Sequence, residues 1–340
     1  MLYKTFGRTG IKVSAFSLGS WITFDRSLKK SKINDCMSYA FDQGVNLFDT
    51  AEVYGEGKVE SIMGKALKEL QLPRDAFTLC TKVFWGGAAP TQMGLHRKHI
   101  IEGCNNSLKR LSADYIDFYL CHRPDPYTPI EETVIAMNLL INQGKILYWG
   151  TSEWPNHLII EAYHVAKAMN LVPPSIEQFQ YNLFYREKGE KVIPEICEKI
   201  GLGTMVTMPL ASGILAGRYN HNIPTDSRAN LASYPYFKDV LTSEEGQAKL
   251  AKAKKMEIIA KELNVSQAQL ALAWCLLNPN MHTTLLGASS LSQLEQNLAS
   301  LKFINNGGIT APMLEAIESI FQNKPIPNYE PSYEEVISGS

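Results

Sequence analysis

The 340-residue sequence has neither paired cysteines nor an excess of charge of one sign. It contains 33 Lys and Arg residues against 34 Asp and Glu residues, so its formal net charge at pH 7 is −1. This balance argues against a chain-wide affinity for nucleic acid or anionic membranes. The absence of a C-x-x-C pair removes the usual zinc and redox signatures, so we expect no metal site. The six cysteines lie apart, at positions 36, 80, 104, 121, 197 and 275.

Long apolar runs are also missing from the chain. The most apolar stretch, around residues 270–277, is far shorter than the about 20 residues that a membrane helix needs. Met1 leads directly into polar residues, which is not the pattern of a secretory signal. We therefore expect a soluble, reduced protein of the cytoplasm that does not insert into membranes.

The common nucleotide-binding motifs are absent as well. No G-x-x-x-x-G-K-[ST] run occurs, and the glycines Gly201 and Gly203 precede a predicted strand instead of following one. A better phosphate-binding candidate is the segment 287–290, Gly-Ala-Ser-Ser, which comes before a predicted helix. Arg218 and Arg228 could supply cations beside it. A serine helix cap and two solvated arginines would explain the same residues without a ligand.

Short β-rich runs alternate with helical patterns along the chain. The first seven runs are spaced by roughly 30 to 40 residues, the length of one strand–helix unit. Eight such units imply a parallel barrel or a doubly wound sheet, and their even spacing favours the (β/α)8 TIM barrel. The predicted strands cover residues 13–18, 45–50, 77–83, 115–121, 145–150, 175–180, 204–208 and 283–287.

Two segments depart from this alternation. Residues 1–12 and the start of the first strand predict a β-hairpin that closes the bottom of the barrel. A long loop over residues 209–236 follows the seventh strand, and loops of this length in compact domains are usually functional. No linker divides the chain, so we expect a single domain over residues 1–340, with an irregular tail from about 326 to 340.

Polar residues gather where the predicted strands end. In a (β/α)8 barrel the carboxyl ends of all strands meet at one face, which carries the active site. Asp49 ends the second strand, Tyr54 lies just beyond it, and Lys82 and His122 stand at the ends of the next two. An acid, a tyrosine, a lysine and a histidine on three adjacent strands form a set suited to proton transfer.

The chemistry of these four residues predicts their roles. Asp49 holds Lys82 and keeps it charged, and the ammonium then lowers the pKa of Tyr54 from its ordinary value of about 10. Tyr54 becomes the general acid, and His122 orients a substrate oxygen. Each residue alone has a structural explanation, such as an ion pair at a strand end, and only the joint arrangement indicates catalysis. Cys121, one residue before His122, should face the helices.

Residues 46–55, NLFDTAEVYG, resemble the signature of the aldo-keto reductases, as do Thr81-Lys82 and the strand that ends at His122. Further segments resemble one branch of this family, the beta subunits of voltage-gated potassium channels and their bacterial and plant relatives. The resemblance extends from Tyr3 to about Pro325. The segments that carry the branch resemblance are 83–87, 107–111, 123–126, 141–144 and 148–152.

The resemblance implies NADPH-dependent reduction of aldehydes and ketones, with Asp49, Tyr54, Lys82 and His122 as the catalytic tetrad. The cofactor implied is NADP(H), because charged and polar donors for a 2′-phosphate favour NADP over NAD. The cofactor-binding residues that the resemblance implies are Trp21, Asp49, Ser152, Gln178, Pro209, Leu210, Ala211, Ser212, Arg218, Arg228, Gly287, Ser289, Gln293, Gln296 and Asn297.

The resemblance also assigns parts of the cofactor to members of this set. Ser152 and Gln178 are expected at the nicotinamide amide, and Arg218 lies on the loop expected to cover the pyrophosphate. Arg228 and Ser289 are expected near the 2′-phosphate.

Two positions depart from the family pattern, and they leave the cofactor class unchanged. Thr207 stands where relatives place an aromatic residue against the nicotinamide, and Glu153 stands where many have Asn or Arg. Three functions remain open: a carbonyl reductase, a cofactor-sensing regulatory subunit of a potassium channel, and a barrel aldolase with Lys82 as its Schiff-base nucleophile. The expected partners are a small carbonyl substrate and further copies of the chain, as in a homotetramer.

Overall fold

The computed structural model describes residues 1–24, 30–225, 227–231 and 235–326. The predicted irregular tail lies outside these ranges, except for its first residue, Ile326. None of the helices in the described ranges combines the length and the apolar character that crossing a bilayer requires.

An antiparallel hairpin precedes the barrel, as the sequence predicts. Its strands are β1 (Tyr3–Thr5) and β2 (Lys12–Ser14). Phe6, directly after β1, is fully buried and packs edge-on against the ring of Phe118, with 5.1 Å between the centroids. Both rings belong to the cluster of apolar side chains inside the barrel. The hairpin therefore closes the end of the barrel at which the strands begin.

Eight parallel strands form the closed barrel, so the predicted fold class is confirmed. Each strand pairs with its neighbour in the chain, and the last strand pairs with the first. The barrel strands are β3 (Phe16–Gly19), β4 (Leu47–Asp49), β5 (Thr78–Val83), β6 (Ile116–Cys121), β7 (Ile146–Ser152), β8 (Ile176–Gln180), β9 (Gly203–Thr207) and β10 (Thr283–Leu286).

The first predicted strand, over residues 13–18, is not continuous, and this prediction was wrong. The chain leaves the hairpin at Ser14 and enters the barrel at Phe16. The Ser14 hydroxyl donates to the Phe16 carbonyl oxygen at 2.6 Å, and the Ala15 N–H donates to the Leu2 carbonyl oxygen at 2.8 Å. These bonds redirect the chain while the run of buried residues continues, so the sequence pattern gives no sign of the break.

Helices cover the outside of the barrel. Cys121 packs in the apolar layer between the strands and the helices, as predicted. The helices are α1 (Lys30–Asp42), α2 (Lys58–Leu70), α3 (Arg97–Leu111), α4 (Ile130–Asn142), α5 (Asn156–Ala168), α6 (Ile193–Ile200), α7 (Tyr236–Thr242), α8 (Glu244–Glu262), α9 (Gln267–Leu277), α10 (Leu291–Leu298), α11 (Ser300–Asn305) and α12 (Ala311–Phe321).

The hairpin turn should tolerate one glycine substitution but not another. Gly7 has a φ of +58°, and a Cβ added there would lie 2.3 Å from the backbone nitrogen of Gly203. We expect Gly7→Ala to lower the free energy of unfolding in urea by about 2 kcal/mol or more, because strain and overlap combine. Gly10→Ala is the control, since its Cβ would meet no atom within 4 Å. Equal losses for the two variants would contradict this account of the turn.

Candidate active site

Four polar side chains meet at the carboxyl end of the barrel. Asp49 is the last residue of β4, and Lys82 is the penultimate residue of β5. His122 follows β6, and Tyr54 opens a short 3-10 turn after β4. Parallel strands deliver their carboxyl ends to one face, so residues distant in the chain become neighbours. The structure thus brings together the four residues that the sequence indicates.

The ammonium of Lys82 is fully buried and has three oxygen partners. Its Nζ lies 2.7 and 2.8 Å from the two carboxylate oxygens of Asp49 and 2.7 Å from the carbonyl oxygen of Thr50. Burial by itself would lower the pKa of Lys82, but the Asp49 carboxylate outweighs it and raises the pKa above its ordinary value. Lys82 therefore stays positively charged at neutral pH.

Tyr54 stands beside this ion pair, with its ring centroid 5.2 Å from the Nζ of Lys82. The sequence predicts a lowered pKa for Tyr54, and this prediction was wrong in its direction. Burial raises the pKa of Tyr54 above its ordinary value. The positive charge of Lys82 acts to lower this pKa, and the negative charge of Asp49 acts to raise it. The phenol is therefore protonated at neutral pH and can donate its proton.

His122 faces Tyr54 as a neutral imidazole. The two ring centroids are 5.9 Å apart at an interplanar angle of 79°. The centroid of the Trp85 ring lies 5.1 Å from that of the His122 ring. Burial holds the pKa of His122 well below its usual range, and the charges of Lys82 and Arg123 lower it further. In the described part of the chain its buried Nδ1 has no hydrogen-bond partner. A neutral imidazole keeps one N–H for a substrate oxygen.

A cavity of about 570 Å³ connects this site with the start of α10. At the barrel mouth it is lined by Tyr54 and Gln178, and the Nε2 of Gln178 donates to the Oδ1 of Asp49 at 3.0 Å. The predicted cofactor residues that line it are Trp21, Asp49, Gln178, Pro209, Leu210, Ser212, Arg218, Arg228, Gly287, Ser289, Gln293, Gln296 and Asn297.

Two of the predicted cofactor residues do not line this cavity. Ser152, the last residue of β7, is buried and pairs in register with Gln178 on β8. Ala211 is buried in the apolar cluster beneath the loop that follows β9.

The cavity also has walls that no sequence motif indicates. They are small or apolar side chains, together with one tyrosine, from segments that are far apart in the chain, so neither spacing nor chemistry marks them. These residues are Gly19, Met208, Gly213, Ala216, Tyr219, Ser227, Leu231, Ser266, Ala268, Leu285 and Leu286.

The far end of the cavity presents a cation and several polar groups. Within the described ranges, the guanidinium of Arg228 has no hydrogen-bond or ion-pair partner. Its Nη2 lies 3.3 Å from where a Cβ would stand at Gly287, so the bare glycine leaves room for this arginine. The backbone N–H and the hydroxyl of Ser289 donate to the Oε1 of Gln293 at 3.0 and 2.8 Å. These groups can be redirected to an anionic ligand.

The two departures from the family pattern occupy different surroundings. Thr207 ends β9 and lines the cavity. Glu153 does not line the cavity: its Oε1 accepts the backbone N–H of Gln180 at 2.7 Å, and its Oε2 lies 4.0 Å from the Nζ of Lys188. The Glu153 carboxylate therefore fastens the end of β8.

A second buried network supports the loops after β4 and β5. The Oε1 of Glu52 accepts the backbone N–H of Phe84 at 2.8 Å and lies 3.3 Å from the Nε2 of His99. The Nδ1 of His99 lies 2.8 Å from the carbonyl oxygen of Gly94. Burial would lower the pKa of His99, but its contacts with Glu52 and Gly94 raise it above its ordinary value. Sequence reasoning missed this pair, because one histidine on α3 has no distinguishing spacing.

The chain matches the model of a known protein family. The family model described as Aldo/keto reductase family matches residues 15–310. The match spans well over half of the chain, so the chain belongs to the aldo/keto reductase family. Membership of the potassium-channel branch within that family stays a prediction.

The contact between His99 and Glu52 should make stability depend on pH. Because the pKa of His99 is higher in the folded state than in the unfolded state, the contact gives its full stabilisation below the unfolded-state pKa of about 6.5. That stabilisation is lost as the pH rises through the folded-state pKa. We expect His99→Gln to lower the urea-unfolding free energy more at about pH 6 than at about pH 9. His157→Gln, on the exposed face of α5, controls for imidazole removal. A loss for His99→Gln that is equal at both pH values would contradict this role.

Proposed function

We propose that the protein reduces aldehydes and ketones to alcohols with NADPH. One observation carries this proposal. Tyr54, protonated and flanked by Lys82 and His122, lines the same cavity as Arg228, whose guanidinium has no partner in the described ranges. A proton donor at one end of a cavity and an available cation at the other match a carbonyl substrate and an anionic coenzyme.

The lining of the cavity fits a nicotinamide coenzyme, which when bound would supply the hydride. Gln178 uses its Nε2 on Asp49, which leaves its Oε1 as an acceptor for a carboxamide. Arg228, Ser289 and Gln293 are the residues that would hold a 2′-phosphate, and bidentate pairing suits a guanidinium to this group. Because NAD lacks that phosphate, these residues favour NADP.

The proton step is assigned to Tyr54. Negative charge that develops on the substrate oxygen during reduction is neutralised by the phenol proton, which leaves a phenolate that solvent later reprotonates. The fixed ammonium of Lys82 stabilises that phenolate, and Asp49 holds the ammonium in place. The N–H of His122 donates to the same substrate oxygen and orients it.

The two alternative functions receive less support. A Schiff-base nucleophile must be a neutral amine, whereas the Nζ of Lys82 is charged and bonded to three oxygens. A regulatory subunit of a potassium channel would need the same cofactor cavity, and nothing in the described residues favours it over reduction. Assembly into a homo-oligomer and a cytoplasmic location stay predictions.

Tyr54→Phe removes the proposed proton donor and keeps the ring that faces His122. We expect turnover of an aldehyde with NADPH to fall by about 10² to 10⁴, while NADPH affinity in a fluorescence titration stays nearly unchanged. Tyr127→Phe is the matched control, because Tyr127 is 94% exposed and should keep full turnover. Near-normal turnover of Tyr54→Phe, measured where chemistry limits the rate, would disprove the assignment.

Arg228→Ala tests the choice of coenzyme. We expect it to weaken NADPH binding by about tenfold or more, the loss of one charge-assisted contact, and to leave NADH binding nearly unchanged. Arg97→Ala, at the exposed start of α3, removes the same charge and should alter neither affinity. If Arg228→Ala weakens both coenzymes equally, Arg228 holds the loop and does not recognise the 2′-phosphate.

A further inference from the structure

We propose that Arg123 selects carbonyl substrates that carry a carboxylate at the end remote from the reacting carbonyl. This inference rests on the proposed reductase function and adds a substrate class to it. It starts from a cation at the catalytic end of the barrel that the proposed cofactor does not explain, since Arg123 does not line the cofactor cavity.

Arg123 is held in place beside the catalytic histidine. Its Nη1 donates to the carbonyl oxygen of His122 at 2.6 Å, and its Cζ lies 5.7 Å from the centroid of the Trp85 ring. The side chain is half-buried, so it is both fixed and reachable from solvent.

The guanidinium of Arg123 has no acidic partner within the described ranges. Asp125, the carboxylate closest to it in the chain, is already engaged: its Oδ2 accepts from the Leu95 backbone N–H and from the Thr128 hydroxyl, each at 2.7 Å. Its Oδ1 accepts the Tyr127 backbone N–H at 2.9 Å. A half-buried arginine with unused N–H donors is suited to a planar anion, which it can bind bidentately.

A row of side chains joins the proposed proton donor to this cation. The rings of Tyr54 and His122 are 5.9 Å apart, those of His122 and Trp85 are 5.1 Å apart, and Arg123 lies 5.7 Å from the Trp85 ring. A substrate with its carbonyl oxygen at Tyr54 and His122 can lie along the indole and direct its far end to Arg123. Aryl aldehydes with a carboxylate on the ring have this form, because the ring packs on Trp85 and spaces the two groups.

The test compares 4-carboxybenzaldehyde with methyl 4-formylbenzoate, its neutral counterpart, in NADPH-dependent assays. We expect kcat/KM of the wild-type protein to favour the carboxylate by about tenfold or more, mainly through KM, as one charge-assisted contact would give. Arg123→Met should remove this preference, read as the ratio of the two kcat/KM values measured on the same variant, so that any general effect on His122 cancels. Arg123→Lys should retain part of the preference, since it keeps the charge without the planar fork.

Two controls keep the outcome decisive. Arg97→Met removes an equal charge at the exposed start of α3 and should leave the preference unchanged. Raising the salt concentration should reduce the preference of the wild-type protein, because a half-exposed ion pair is screened, and this measurement does not depend on any variant folding.

Failure of this inference and failure of the reductase proposal give different results. If the ester is reduced and the carboxylate is not preferred, or if the preference survives in Arg123→Met or is insensitive to salt, Arg123 does not select the substrate. If the wild-type protein reduces neither these aldehydes nor any other carbonyl compound with NADPH, the proposed function itself is wrong.

Discussion

The buried ion pair of Lys82 and Asp49 is the interaction on which the rest of the site depends. Taking two charges out of water is costly, and the cost is met only where geometry and hydrogen bonding are complete. Here each of the three ammonium donors has an oxygen within 2.8 Å, and Gln178 adds a further donor to Asp49. The positive charge of Lys82 is thereby held in one position, where it affects the protonation of the neighbouring side chains.

Burial and this fixed charge together set the protonation of Tyr54 and His122. Burial disfavours both the phenolate and the imidazolium, so each side chain is neutral at neutral pH and can donate a hydrogen bond. The ammonium of Lys82 acts to lower the pKa of both Tyr54 and His122. It thereby favours a phenolate at Tyr54 and disfavours a charged imidazole at His122. In the proposed mechanism this one cation leaves proton transfer to the tyrosine and orientation of the substrate to the histidine.

The two ends of the barrel carry separate tasks. At the amino end the hairpin and the buried ring of Phe6 close the floor, and Gly7 approaches the backbone at the start of β9 too closely for any side chain. At the carboxyl end the loops are tied to one another by carboxylates: the buried Glu52 holds the loop after β5, and the half-buried Asp125 holds the far side of the same loop. The loops around the candidate active site are therefore held in place, while Asp49 and Lys82 themselves stand on the strands.

The sequence by itself determined the eight strands and, through them, the meeting of Asp49, Tyr54, Lys82 and His122, because strand ends in a parallel barrel converge whatever the loops do. It did not determine the direction of the pKa shift of Tyr54, since that burial comes from distant segments such as the one that bears Trp21, whose ring lies 6.4 Å away. Tertiary structure likewise decided four local features: the break at Ala15, the groups that Glu153 contacts, the contact of Arg228 with Gly287 and the packing of Arg123 against Trp85. Periodicity reports which face of one element is buried, whereas distances between loops exist only once the elements have packed.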